Sequence, residues 1–481
     1  MLTEAVQLGN KLNLVVMTNT PVDPDSQDTP QFLIEKAVNS GMNGFLFCLK
    51  DCTISDPDDD GNITLTNKGE SKGFVINKEN TVIIARRGVV KNTYTRGILS
   101  LFESNGFFCI NSLSSILDCE NKYLTAQKLE QHLLPTPRTA LVPSIDSLDD
   151  AIKKIGGKFP IILKTLSGSQ GIGVSIIDSQ GSLKSVLQTM WKLSDTETLI
   201  QEKIDSDYDI RIQVLTKRFD YHGNNKDNVK IIGYMRRNRG DKKDFRTNHS
   251  LGGSVENVKL TEEQINLAVK AADAMGCHWC GVDIIVDDKT KKNYILEVNA
   301  SPGTKGIKKV IGKSILQDII DFIKDKSNWS VNVTEIGYME VVNLTGFGEY
   351  VAKFDSGNGT KSSSVHADKM SEKNGYLNWS AGNKKMKSKI VGYANAEVGD
   401  TVTKRPIIEL DIKFRGISYS KMHFSVVDRS SKSTPMLINR ELMEKIGVVV
   451  NPQKTFVVSG FDGKYDTALA KSDKTYGIKV K

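Results

Sequence analysis

No uninterrupted apolar run in this 481-residue chain approaches the roughly 18 residues needed to cross a bilayer. The opening stretch has one short apolar patch, 14–17. It lacks a charged-then-apolar layout and a small-residue cleavage site, so neither secretion nor membrane attachment is expected. Cysteine is scarce, at six, and all six lie before residue 281. That is too few for a disulfide scaffold and points to a reducing, cytoplasmic setting. Cys277-His278-Trp279-Cys280 has CxxC spacing, but no second pair completes a zinc set. The motif closes a helical stretch instead of opening one, so buried, inert thiols are expected. Aromatics make up 7% and do not interleave with the densest basic run, which argues against a nucleic-acid partner. A net charge of +8 is mild for this length and suits an anionic ligand or substrate.

What is present falls into three blocks. Residues 1–119 alternate short apolar strands (14–17, 44–49, 81–85, 107–110) with helical stretches (31–40, 96–104), the pattern of an α/β layer with parallel strands. The acidic insert 51–62 reads as a solvated loop. Residues 120–328 open on a helix near 120–130. Strands follow at 160–164, 174–177 and 197–201, with a helix near 183–191 and a last helix at 314–324. Residues 329–481 are short alternating runs (349–354, 387–393, 407–414, 422–427, 448–451, 456–459) punctuated by Gly, Asn, Asp and Ser, the pattern of an all-β barrel.

Four features carry chemistry. Lys164 precedes a loop holding Gly168, Gly171 and Gly173. The loop joins two strands and the lysine stands before it, unlike a Rossmann or P-loop run. This suits a flap over phosphates, with Lys164 reaching them. The second feature is a hairpin with Asp283 on one arm and Glu297 and Asn299 on the other, set among apolar residues. Burying unpaired carboxylates costs several kcal/mol, about what a metal or ion pair must offset. Glu297 and Asn299 share a strand face that Asp283 can join, so Mg2+ or Mn2+ is expected there. The strand ending at Gln201-Glu202 fits a hinge reading an adenine edge, with Asp209 on a ribose hydroxyl. Arg236, Arg237, Arg239, Lys242, Lys243 and Arg246 form a run that suits an anion clamp, with Arg236 and Arg237 on an acidic substrate.

These residues stand in a familiar order. Phe159 to Lys164, Ser167 to Val174, Gln201-Glu202, Asp209 to Arg211, Arg236-Arg237, Asp244 to Asn248, Gly281 to Asp283 and Glu297 to Gly303 closely resemble the ATP-grasp ligases of the RimK type, from about residue 81 to 323. The resemblance implies ATP-binding roles for Lys122, Lys164, Glu202, Lys203, Asp209, Arg246 and Asn248. It implies metal ligation by Asp283, Glu297 and Asn299, with two ions, and a substrate-facing loop at Arg86-Arg87. Ala352 to Gly357, Ser362 to His366 and Pro435 to Arg440 resemble the retropepsin-like domain that accompanies RimK ligases and carries the label of ATP-dependent zinc proteases. Asn358 and Asn439 depart from its pattern, and the block has no Cys and only His366 and His423. An aspartic peptidase needs two carboxylates sharing a proton, so Asp355 would take its twin from a second chain in a homo-oligomer.

The fold expected is therefore α/β (α+β): an ATP-grasp core, an N-terminal α/β pre-ATP-grasp domain and a C-terminal retropepsin-like barrel. The activity expected is an ATP- and Mg2+- or Mn2+-dependent carboxylate–amine ligase working through an acyl phosphate. Lys164 and Arg246 would stabilise the phosphoryl transfer. The partners would be an amino acid such as glutamate and the carboxyl end of a protein or peptide. An aspartic-type peptidase using Asp355, regulated by the front half, is the alternative.

Overall fold

The computed structural model describes residues 5–22, 29–86, 88, 92–166, 173–194, 196–217, 229–239, 253–329, 334–398 and 401–459. The chain divides into two compact units, Met1–Ser55 with Thr64–Ser330, and Asp56–Ile63 with Val331–Lys481. Among the described residues no helix is long and apolar enough to cross a membrane.

In the first unit, Asn43–Cys48, Asn13–Thr18, Thr81–Ala85 and Phe108–Ile110 lie side by side as four parallel strands. Leu14 to Met17 and Val82 to Ile84 are fully buried, because a parallel sheet is covered on both faces. The helix Leu316–Lys324 packs into the same core. Its buried Leu316, Ile319, Ile320 and Ile323 recur at i, i+3, i+4 and i+7, one stripe of an amphipathic helix. A small mixed sheet orders Val6–Gln7, Phe74–Ile76, Ile63–Asn67 and Cys52–Ile54, and two antiparallel sheets follow. One orders Val174–Ile177, Ile161–Thr165, Thr198–Glu202 and Thr139–Leu141. The other orders Ser254–Glu256, Val229–Asn238, Tyr208–Thr216, Trp279–Val286 and Asn293–Asn299. The helix Glu262–Ala274 starts at a reciprocal capping box between Thr261 and Gln264.

One expectation holds and two are corrected. The helix expected near 120–130 is Lys122–Gln131, and a further helix, Leu113–Glu120, precedes it. They separate at Asn121, whose side chain accepts from the Tyr123 and Leu124 N–H groups and so starts a new helix. The acidic insert is not wholly loop, since Cys52–Ile54 pairs antiparallel with Ile63–Asn67. Its turn is made by Asp58, whose carboxylate accepts from the Asp60 and Asn62 N–H groups. Finally, 456–459 is a turn and not a strand.

The second unit is a closed ring of six strands. Met339–Leu344, Gly348–Asp355, Met436–Asn439, Ser363–His366, Ile417–Val427 and Thr401–Phe414 pair in turn, and the last pairs back on the first at Asn343↔Lys413 and Leu344↔Ile412. Phe354, Phe414, Phe424 and Ile438 fill it. Lys384–Val398, Tyr376–Ala381 and Lys369–Lys373 extend the sheet from one side.

Glu340, fully buried in this apolar unit, explains the 456–459 turn. Its carboxylate accepts from the backbone N–H groups of Gly337, Val457, Val458 and Ser459 and from the Ser459 hydroxyl, at 2.6–3.3 Å. A charged acceptor with so many donors draws the later segment into a cup around itself instead of a ladder. Glu340→Ala leaves those donors bare. It should lower the stability of the full chain by about 3 kcal/mol or more in chemical denaturation, and unchanged stability would refute the assignment.

Candidate active site

The Trp279–Val286 and Asn293–Asn299 strands form a hairpin in which Asp283 stands directly opposite Glu297, and Gly281 opposite Asn299. A bulge follows at once, where Ile284 pairs with Ile295 and Leu296 is extra. The bulge lets Ile295 stay fully buried while Glu297 turns to the cleft beside Asp283. The two carboxylates hydrogen-bond each other, and their pKa values are driven apart. Burial raises that of Asp283, but the Arg211 and Arg237 charges outweigh it and hold it low. Burial and the Asp283 charge push Glu297 up. Glu297 keeps 46% of its side-chain surface in solvent.

Arg211 was not among the expected site residues, although it sits in a quoted motif. It donates Nε to Asp283 Oδ1 and Nη2 to Oδ2, both at 2.6 Å, and lies 3.4 Å from Glu297. Arg237 donates to Asp209 at 2.6 and 2.9 Å and to Asp283 at 2.6 Å. Register explains both. Asp209 faces Arg237 on one neighbouring strand, and Arg211 faces Asp283 on the other. The sequence signal was the i, i+2 spacing of Asp209 and Arg211, which puts both on one strand face.

This corrects two expectations. Asp209 is 2% exposed and committed to Arg237, so its carboxylate is not open to a ribose. Arg236 and Arg237 cannot close on one anion, because neighbours on a strand point to opposite faces. Arg237 lies in the buried lattice, while Arg236 stacks over Tyr208 at 3.9 Å and pairs with Glu256 at 3.1 Å.

Positive charge arrives from two other elements. Lys164 Nζ donates to Gln201 Oε1 at 2.6 Å, and Gln201 Nε2 donates to Thr139 Oγ1. Burial lowers the Lys164 pKa to about 8, opposed by Glu297 and helped by the Lys122 charge. Burial lowers Lys122 too, again opposed by Glu297. The Lys122 backbone N–H reaches Leu166 O, fixing the helix start beside the strand that carries Lys164. Glu202 is not free to meet a ligand with its carboxylate, which accepts from the Arg138 backbone and guanidinium at 2.5–2.8 Å. Lys203 is bonded to Asp205. Gly173 has φ +77°, and a Cβ there would meet Thr165 Oγ1 at 2.5 Å, so glycine is required where the flap rejoins its strand. Arg87, Gly168, Gly171, Arg246 and Asn248 lie outside the described residues.

The loop after Asn299 is pinned from below. Asn111 Nδ2 donates to Trp279 O and Ala300 O, and its Oδ1 accepts from the His278 and Trp279 N–H groups. Gln213 Nε2 donates to Gly303 O and its Oε1 accepts from the Trp279 indole. Arg86, expected to face substrate, is instead 5% exposed. It donates to Pro302 O at 2.7 Å and lies over the Trp279 ring at 4.6 Å. Its burial lowers its pKa to about 9.

Elsewhere, Cys119 and Cys277 touch at 3.7 Å, and that contact with burial pushes the Cys119 thiol well up. In the barrel, Asp355 stands opposite Asn439 and accepts from the Gly357 N–H. Asn439 caps the Arg440–Lys445 helix and holds Ser363 and Thr360 O. His366 lies between Asp368 and the Arg429 N–H, well separated in register from His423 opposite Glu409.

Comparison with known proteins places this arrangement. Residues 119–323 match the RimK-like ATP-grasp domain family. A Vibrio atlanticus (strain LGP32) protein named "Probable alpha-L-glutamate ligase" is 34% identical over 256 residues, 52% of this chain and 79% of its own length. A Coxiella burnetii (strain Dugway 5J108-111) protein of the same name is 34% identical over 245 residues, 50% of this chain and 75% of its own. The chain belongs to this alpha-L-glutamate ligase family, with a RimK-like ATP-grasp domain. A solved structure of the Chryseobacterium gregarium RiPP-associated ATP-grasp ligase, in complex with ADP and a leader and core peptide, shares the fold. Its TM-score is 0.50 at 14% identity, covering 67% of this chain and 100% of that one.

Among the described residues no three His, Cys, Asp or Glu side chains group as a metal site. Of the expected donors, Asp283 is 2% exposed with both oxygens taken by Arg211 and Arg237, Glu297 is half open beside it, and Asn299 lies two residues further along the same strand. Hard oxygen donors of this kind suit Mg2+ with phosphate and water completing the shell. Burial and the Asp283 charge raise the Glu297 pKa, and a cation bound there would relieve that.

A lysine whose pKa falls from 10.5 to about 8 is half neutral near pH 8, whereas a surface lysine is almost wholly protonated. Competitive acylation read by mass spectrometry should therefore show Lys164 reacting ahead of the surface lysines at pH 8. ATP should suppress the reaction, because a bound polyanion stabilises the ammonium. A Lys164 that titrates with the bulk, near 10.5, would contradict the site's electrostatics.

Proposed function

We propose that the chain is an ATP-dependent ligase that joins an amino acid, glutamate foremost, to the carboxyl end of a protein or peptide. The observation that carries the reading is the convergence of Lys122 and Lys164 on Glu297, which faces Asp283 across a bulged hairpin. Family membership supports it, since the relatives are named glutamate ligases.

The acceptor carboxylate takes the terminal phosphoryl group of ATP, leaving ADP. The amine then attacks the acyl phosphate, an amide forms, and phosphate and a proton leave. Lys164 and Lys122 set positive charge beside the phosphates, where charge grows in the transition state. Arg211 and Arg237 hold Asp283 ionised and in place. Asp283, Glu297 and Asn299 would hold Mg2+ or Mn2+, two ions in this reading, and such ions would supply the charge that neutralises the phosphates. Arg246 and Asn248 belong to the same reading through the family motif.

Glu297→Gln removes one anionic ligand without removing bulk. It should reduce carboxylate- and amine-dependent ADP release by about a hundredfold or more while the variant stays folded. Turnover near that of the unaltered chain would refute the site. Mass spectrometry of peptides incubated with ATP and mixed amino acids identifies the amide formed.

We assign the six-stranded barrel a binding role, since Asn439, the strand neighbour of Asp355, is committed to Ser363 and Thr360 O and a peptidase would need the twin of Asp355 from a second chain. Asp355→Asn should leave ligation unchanged, and the chain should not cleave peptides in the absence of ATP. Peptide hydrolysis that disappears in Asp355→Asn would favour the peptidase reading instead.

A further inference from the structure

The three strands that extend the barrel have two unlike faces. Leu377 and Trp379 are buried, and Trp379 stacks on Phe347 at 4.6 Å. The residues that alternate with them face solvent. Register lays these out as a grid of three rows: Lys369, Ser380 and Lys385; Ser371, Asn378 and Lys387; Lys373, Tyr376 and Lys389. All five lysines are exposed. Strands are about 4.8 Å apart and alternate residues about 6.8 Å apart along a strand, so the lysines share a patch about 10 by 14 Å.

No acidic side chain stands on this grid. Glu372 is opposite buried Leu377, on the other face, and bonds Tyr393. Asp368 is held by His366 and the Gly382 N–H. Among the described residues none of the five lysines has a carboxylate within ion-pairing distance. Lysines on an outermost strand blunt association of sheet edges, which accounts for Lys369 and Lys373. Lys385, Lys387 and Lys389 stand two strands in from that edge and need another reason.

We propose that this lysine face binds a carboxylate-rich segment of the polypeptide on which the ligase acts, a role that rests on the ligase reading above. An extended acidic peptide carries same-side carboxylates at the spacing of Lys385, Lys387 and Lys389, so each can meet an ammonium. Single-stranded nucleic acid also has the charge, but it gains by stacking bases on open aromatic rings. Lys387 lies over the Tyr376 ring at 4.6 Å and Lys404 over the Tyr393 ring at 4.0 Å, so one face of each of these exposed rings already carries an ammonium, and the oligonucleotide competitor below tests the rest.

The test uses the full chain and a short fluorescent oligoglutamate peptide, with binding followed by anisotropy at low salt. A single-stranded oligonucleotide of equal charge serves as competitor. The triple variant K385Q/K387Q/K389Q should bind the peptide about tenfold more weakly. K385R/K387R/K389R should restore binding, since it keeps charge and changes shape. Equal peptide affinity in the triple Gln variant overturns the proposal, as does tighter binding of the oligonucleotide than of the peptide. Amino-acid incorporation by the unaltered chain is measured in parallel. Ligation with no effect of the lysines sinks the face alone, whereas absence of ligation sinks the ligase reading whatever the peptide does.

Discussion

The buried alternation of carboxylate and guanidinium across three adjacent strands is the constraint on which the rest of the site depends. Asp209, Arg237, Asp283 and Arg211 form one continuous chain of charge-assisted hydrogen bonds, all at 2.6–2.9 Å. Such a lattice adds little net stability, because desolvating each ion costs about as much as pairing returns. Removing one member would strand a buried charge at about 3–5 kcal/mol. The lattice therefore fixes geometry more than stability: strand register, the tilt of Asp283, and through it the stance of Glu297.

Outside the lattice the supports are two amides and one guanidinium, all donating to backbone carbonyls. Asn111, Gln213 and Arg86 come from separate elements and hold successive carbonyls at Ala300, Gly303 and Pro302. Trp279 is the hub, bonded through its backbone and indole and covered by Arg86. The loop that follows the proposed metal ligands is thus held by the parallel-sheet layer as well as by its own hairpin. A shift in either would be felt at Asn299.

Much of the first unit could be read from the chain. Continuous apolar runs marked the parallel strands at 14–17 and 81–85, and the i, i+3, i+4, i+7 stripe marked the last helix. The strand face shared by Glu297 and Asn299 also followed from period 2. What the sequence concealed was pairing. That Arg237 is buried while Arg236 is not depends on which face the sheet covers, and nothing local says so. Asp209 reads equally as a ligand contact or as a buried partner until Arg237 is seen opposite it. Arg86 looked like a substrate contact because its family motif was matched, whereas the Trp279 ring and Pro302 carbonyl that claim it are about two hundred residues away. The 456–459 run alternates like a strand, and only a distant carboxylate turns it into a cup.

That cup has a consequence for biosynthesis. Glu340 is made early in its unit, and the backbone groups that satisfy it come 117 to 119 residues later. Until the ribosome delivers Val457 to Ser459, a charged group destined for a dry interior has only the Gly337 N–H among these donors, and it is better solvated than packed. The barrel is therefore sealed late in translation.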